Sequence, residues 1–150
     1  MRKAVLGILL AGTIMSLPVH SEAHERQCPK TIEVTQKEAQ ELMQIAWCEA
    51  GNQGSEGQLY VMSVIINRVN SPDFPDSIHD VIYQDHQFAT AGMSKAKITP
   101  ETHYALAELE MGNLIPEIIG FERSDNNALE VYFSEAFDFR DHTFYTAKIN

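Results

Sequence analysis

Two amphipathic helical patterns that follow each other almost without a gap constrain this chain most. Thr35 and Glu38 have the spacing of a capping box, in which each side chain satisfies the other residue's backbone amide. Behind them Ala39, Leu42, Met43 and Ala46 recur at helical spacing, and Gly51 is placed to end the run. The spacing predicts a helix from about Gln36 to Ala50. Ser55 and Gln58 repeat the box, and Leu59, Met62, Ile65, Ile66 and Val69 form a second apolar stripe. That stripe stops at Asn70-Ser71-Pro72, where the proline disfavours a helical residue before it. A connection this short favours two helices packed against each other.

The rest of the chain changes character along its length. A brief third helix is expected from about Ser77 to Tyr83, started by Asp76, and 84–98 has no regular pattern. Thr99-Pro100-Glu101 opens a fourth helix with an N-cap, a proline at the first helical position and an acid in the first turn. Gly112 or Asn113 closes it. Ile118 to Glu122, Leu129 to Ser134 and His142 to Thr146 are rich in β-branched and aromatic residues and read as short strands. With no internal repeat and no Gly/Ser linker, 35–150 reads as one α+β domain, predominantly helical, with short C-terminal strands.

The N-terminus bears on compartment. Arg2 and Lys3, the apolar run Ala4 to Leu17 and the polar stretch ending Ser21-Glu22-Ala23 have the layout of a cleavable signal peptide over 1–23. The run is too short for a stable membrane anchor, which needs about 20 apolar residues. An extracytoplasmic location is therefore expected, with 24–34 as an arm before the domain. The formal net charge of −10 excludes nucleic acid and anionic lipid as partners held by charge. Cys28 and Cys48 both survive signal removal, so a disulfide is a candidate, with two unlinked thiols as the alternative.

Glu49 stands out within the first helix. It lies seven residues after Leu42 and three after Ala46, so it continues the apolar face. It also falls in the last turn, where the helix dipole disfavours negative charge. Burial and dipole both push a carboxyl pKa upward. A carboxyl that keeps its proton is what glycosidic cleavage requires, because the leaving oxygen must be protonated. The alternative is a surface glutamate at a frayed helix end.

The residues around Glu49 narrow this. Trp47-Cys48-Glu49-Ala50-Gly51-Asn52-Gln53-Gly54-Ser55-Glu56-Gly57-Gln58, then Asn67-Arg68, Phe74-Pro75, Val81-Ile82-Tyr83-Gln84 and Gln87-Phe88, resemble the SleB-type cell-wall hydrolase family of spore cortex-lytic enzymes. Near the C-terminus Asp141-His142-Thr143-Phe144-Tyr145 resembles the family's closing G-x-H-x-F-Y segment. The resemblance runs from about Glu41 to Tyr145 and is dense up to Phe88. It implies a lysozyme-like fold of the lytic transglycosylase kind and cleavage of peptidoglycan between N-acetylmuramic acid and N-acetylglucosamine. Glu49 matches the catalytic glutamate, and no cofactor or metal is implied. One carboxyl suffices in such a scheme, because the muramic 6-hydroxyl can attack the anomeric carbon to give a 1,6-anhydro product. Hydrolysis of the same bond by water is the alternative.

This sequence departs from the family pattern in several positions. Gln53 stands where the family has a second glutamate, Gly51 where it has an arginine, and Arg140 where a glycine is usual. Gln53 can hydrogen-bond sugar but carries no charge. Tyr83, Gln87 and Phe88 suit a sugar groove, or packing under a loop. Glu56 is either a groove residue or a favourable first-turn carboxylate. His142 and Tyr145 either line the groove or satisfy a buried strand. Asn67 and Arg68 are expected to tie the second helix to the loop around Phe74 and Pro75.

Three other classes compete. A cysteine amidase or endopeptidase would need a Cys48 thiolate, which a helix C-terminus beside Glu49 disfavours. A zinc peptidase would need a tight ligand pair, whereas His79, His86, His103 and His142 are scattered. A non-catalytic wall-binding module would keep the groove and dispense with Glu49.

Overall fold

The first capping box forms as its spacing requires. In the computed structural model, which describes residues 32–148, α1 spans Gln36–Ala50. Thr35 Oγ1 accepts from the Glu38 N–H at 3.3 Å, and the Thr35 N–H donates to Glu38 Oε2 at 2.8 Å. The signal segment 1–23, most of the arm and Cys28 lie outside the described residues.

The second capping box does not form. α2 spans Gly54–Val69, so its N-cap is Gln53, which makes no side-chain capping bond. Gly54 has φ +73°, a left-handed conformation that costs glycine little, and it turns the chain into the helix one residue before Ser55. Gln58 is only 1% exposed and is held in the interior, so it cannot reach back to a cap. The helix ends at Asn70, where the sequence placed its end.

α3 is shorter than expected, Ile78–Ile82, and its cap is Ser77 instead of Asp76. Ser77 Oγ accepts from the Asp80 N–H at 3.1 Å and donates to Asp80 Oδ2 at 2.6 Å, a closed pair that Asp76 does not offer. Within the irregular stretch a 3-10 helix covers Thr90–Lys95. α4 spans Pro100–Glu110 with Thr99 at its N-cap, and Gly112 at φ +83° follows its end. Leu42, Ile45 and Ala46 of α1, Val61, Met62 and Ile65 of α2, Val81 and Ile82 of α3, and Ala105 and Leu109 of α4 share one core and are fully buried.

Three antiparallel strands complete the chain in the order β1-β3-β2: β1 Ile118–Arg123, β2 Phe133–Phe139 and β3 His142–Ala147. The middle strand of the sequence lies later than expected. Leu129–Val131 is a 3-10 turn, and the strand runs on to Phe139. A register shift between Glu135 and Phe137 breaks the two-residue alternation that sequence reading depends on. The aromatic residues beyond the bulge nevertheless point to one face. Phe137 and Phe139 meet the Tyr60 ring of α2 at 5.4 and 4.9 Å, and Phe144 meets it at 5.4 Å. α2 is thus packed on one side by helices and on the other by the sheet.

Arg140, in the turn between β2 and β3, has φ +51°. A side chain there is strained by about 1–2 kcal/mol, which accounts for the glycine that the resembled pattern carries at this place. Arg140→Gly is therefore expected to be stabilised by up to about 1 kcal/mol, after the larger unfolded-state entropy of glycine is offset. A raised Tm checks this. A lowered one would mean that the guanidinium, 5.3 Å over the Phe139 ring, outweighs the strain.

Candidate active site

Glu49 follows Ile45 and Ala46 along the buried face of α1 and reaches the end of the helix half-buried. Its Oε1 accepts the backbone N–H of Ala89 at 3.0 Å. Burial pushes its carboxyl above the ordinary range, and the Ala89 amide offsets part of that rise. Among the described residues no salt bridge involves it. Its second oxygen is not held by any described hydrogen bond.

Gln53 and His142 form an adjoining flank. Gln53 is 2% exposed, and its Nε2 donates to His142 Nδ1 at 3.0 Å. With Nδ1 accepting, the ring proton belongs on Nε2. Burial lowers the His142 pKa, so the imidazole is neutral around pH 7. Beside this pair, Asn52 Nδ2 donates to Asp141 Oδ2 at 3.2 Å. The His142 ring lies 5.1 Å from Phe121, and Phe121 lies 6.1 Å from Phe88. Phe88 precedes Ala89, whose amide holds Glu49. A continuous series of contacts therefore joins Gln53, His142, Phe121, Phe88 and Glu49, drawing on α1, α2, β1, β3 and the loop after α3.

The Gln53–His142 contact has a measurable consequence. Gln53→Glu would place a carboxylate against Nδ1 and favour the imidazolium. The His142 titration, followed by its ring carbon shifts, is expected to move upward. An unchanged midpoint would contradict the contact.

The remaining residues expected at a sugar groove are placed differently. Gln87 Oε1 accepts from Arg68 Nη1 at 3.0 Å. Tyr83 is 47% exposed at the end of α3, its ring 4.5 Å from His79. Glu56 sits in the first turn of α2, where its Oε1 accepts the Tyr60 hydroxyl at 2.6 Å. Tyr145 is fully buried on the face of β3 away from α2, and its hydroxyl donates to Glu122 Oε1 at 2.8 Å. Its place is thus that of a strand residue with a satisfied hydroxyl. For Cys48, burial first and the charge of Glu49 second push the thiol up, so it is a poor thiolate.

Two members of the series carried no signal in the sequence. Phe121 lay in an expected strand but in no motif. The Ala89 amide is a backbone group, which residue types do not reveal. Two clefts of about 460 Å³ open elsewhere, one beside Ile32, Ile66 and Leu114, the other beside Asn67, Ile119 and Ala147. Neither is lined by Glu49.

The family described as Cell Wall Hydrolase matches residues 52–146, beginning just after Glu49. A spore cortex-lytic enzyme of Halalkalibacterium halodurans is 33% identical over 72 residues, which is 48% of this chain and 22% of that protein. One of Bacillus subtilis is 36% identical over 59 residues, or 39% of this chain and 19% of that protein. The matched stretch thus spans about a fifth of these relatives' length. Among solved structures, the catalytic domain of the germination-specific lytic transglycosylase SleB of Bacillus anthracis superposes with a TM-score of 0.63. It is 19% identical, and the match covers 75% of this chain and 97% of that one. The catalytic domain of Bacillus cereus SleB gives 0.62 at 19% identity, covering 77% and 95%. The lysozyme-like α+β fold expected from the sequence is the fold these domains share with it.

Proposed function

The chain belongs to the Cell Wall Hydrolase family, and on that premise we propose that it cleaves peptidoglycan strands between N-acetylmuramic acid and N-acetylglucosamine with Glu49 as general acid. The observation that supports this reading is the environment of Glu49: a half-buried carboxyl, one oxygen on a backbone amide and, among the described residues, no cation paired with it. A carboxyl so placed keeps a proton on Oε2 and can deliver it to the glycosidic oxygen.

The proposed reaction needs no second carboxylate. As the proton passes from Glu49 to the leaving oxygen, the bond from that oxygen to the muramic anomeric carbon breaks. The negative charge that develops on the carboxylate is met by the Ala89 N–H on Oε1. The muramic 6-hydroxyl then bonds to the anomeric carbon, and the Glu49 carboxylate takes up the hydroxyl proton. This returns the acid to its starting form and leaves a 1,6-anhydro end. Water in place of the 6-hydroxyl gives a reducing end.

The surroundings are suited to a sugar chain. Phe88 and Phe121 supply apolar faces and His142 a neutral imidazole, while Tyr83, outside this series at the end of α3, keeps an exposed ring that can stack on a pyranose further along the chain. In this reading Gln53 acts through His142. In the same reading residues 1–23 direct export, and a Cys28–Cys48 disulfide is the candidate outside, with two unlinked thiols as its alternative. Mass spectrometry of digested peptidoglycan tests the reaction. Anhydro-muramic ends are expected; free reducing ends would mean hydrolysis, and cut peptides would overturn glycan cleavage altogether.

A further inference from the structure

Arg68 lies in the last turn of α2 and is 6% exposed, yet no carboxylate pairs with it among the described residues. Withdrawing a guanidinium from water without an ion-pair partner is costly, and burial draws its pKa down to about 10. What it gains instead is a set of fixed contacts. Its Nε donates to the Ile119 carbonyl at 2.6 Å and its Nη1 to Gln87 Oε1 at 3.0 Å. Its guanidinium carbon lies over the rings of Phe74 and Phe88, 4.9 and 5.4 Å from their centroids.

Gln87 and Phe88 immediately precede Ala89, whose amide holds Glu49. Within that segment His86 stands at φ +64°, a left-handed conformation uncommon outside glycine, and two turn bonds, Gln87 N–H to Gln84 O at 3.2 Å and Thr90 N–H to Phe88 O at 3.0 Å, bridge neighbouring residues of the loop. Arg68 adds contacts to the segment from outside the loop.

We propose that Arg68 is the positioning residue of Glu49, clamping Gln87 and Phe88 so that the Ala89 amide meets Oε1. The clamp needs a planar fork that donates in two directions while its face lies on aromatic rings. A lysine offers neither the fork nor the plane. The link from Arg68 to Glu49 is geometric; its effect on turnover rests on the reading of Glu49 as the acid.

The experiment separates the two. In the 15N-labelled chain the Ala89 amide shift is expected to titrate with the Glu49 carboxyl, and Glu49→Gln abolishes that titration. In Arg68→Lys, with circular dichroism showing the chain folded, the Ala89 titration is expected to lose at least about half its amplitude. Turnover falls on the order of 10- to 100-fold, with KM changed far less, as for a misplaced catalytic group. Gln87→Ala, which cuts the clamp at an exposed residue, gives the same signature at smaller amplitude and decides the matter if Arg68→Lys does not fold. Ser63→Ala, on the same helix as Arg68, removes the bond to the Leu59 carbonyl and the one from the Ile115 N–H, and loses stability without that signature. Full Ala89 titration in Arg68→Lys, or in Gln87→Ala where that variant decides, would overturn the proposal. An unmodified chain that cuts no glycan would overturn the functional reading and leave the amide titration to judge Arg68.

Discussion

Glu49→Gln is expected to fold normally and to lose glycan cleavage by about 10³-fold, the scale of a removed general acid. The amide keeps an oxygen for the Ala89 N–H and fills the same space, so what disappears is the transferable proton. Stability should move in the opposite direction to activity. The folded-state pKa of Glu49 lies above its unfolded value, so the wild-type chain loses stability as pH rises through the folded pKa. Glutamine has no such dependence. Denaturant titrations at several pH values should find the variant matched to wild type in acid and more stable above the Glu49 midpoint. The wild-type rate should meanwhile fall on the alkaline side at a pH above the ordinary carboxyl range. Muropeptide release equal to wild type would dismiss Glu49 as the acid.

Phe144→Ala is expected to cost about 3–5 kcal/mol, a large part of the stability of a domain this size. Phe144 is fully buried in the middle strand, and the rings of Tyr60, Phe121 and Phe137 surround it at 5.4, 5.8 and 5.2 Å. Neighbours can fill the space only in part, because these rings are anchored on α2 and on both outer strands. Denaturant midpoints measure the loss. Because His142 lies two residues away on the same face, with ring centroids 6.1 Å apart, its titration should also change in the surviving folded fraction. A loss below about 1 kcal/mol would show that the sheet does not depend on this ring.

The helical half was legible because its signals are local. Thr35 with Glu38, the apolar stripe of α2 and Thr99-Pro100 each act within one or two turns, and the helices lie close to where those residues put them. Legibility failed where a distant contact decides the outcome. Gln58 has the spacing of a cap residue but is claimed by the core. The second strand is displaced because a bulge hides its alternation and packing on Tyr60 fixes it. The placement of Glu49 on the buried face could be read from helical period. The Ala89 amide could not, since its position depends on Arg68, 21 residues earlier in sequence and joined to it only through Gln87 and Phe88.

The bond between Gln53 and His142 spans 89 positions, as does that between Asn52 and Asp141. Both join the α1–α2 connection to the head of β3. During synthesis α1 and α2 can pair as soon as they emerge, but this flank of the site stays open until β3 has emerged. Any fragment that stops short of β3 carries Glu49 without its His142 side. Completion of the site thus waits on the synthesis of β3, which ties the appearance of function to arrival of the whole domain.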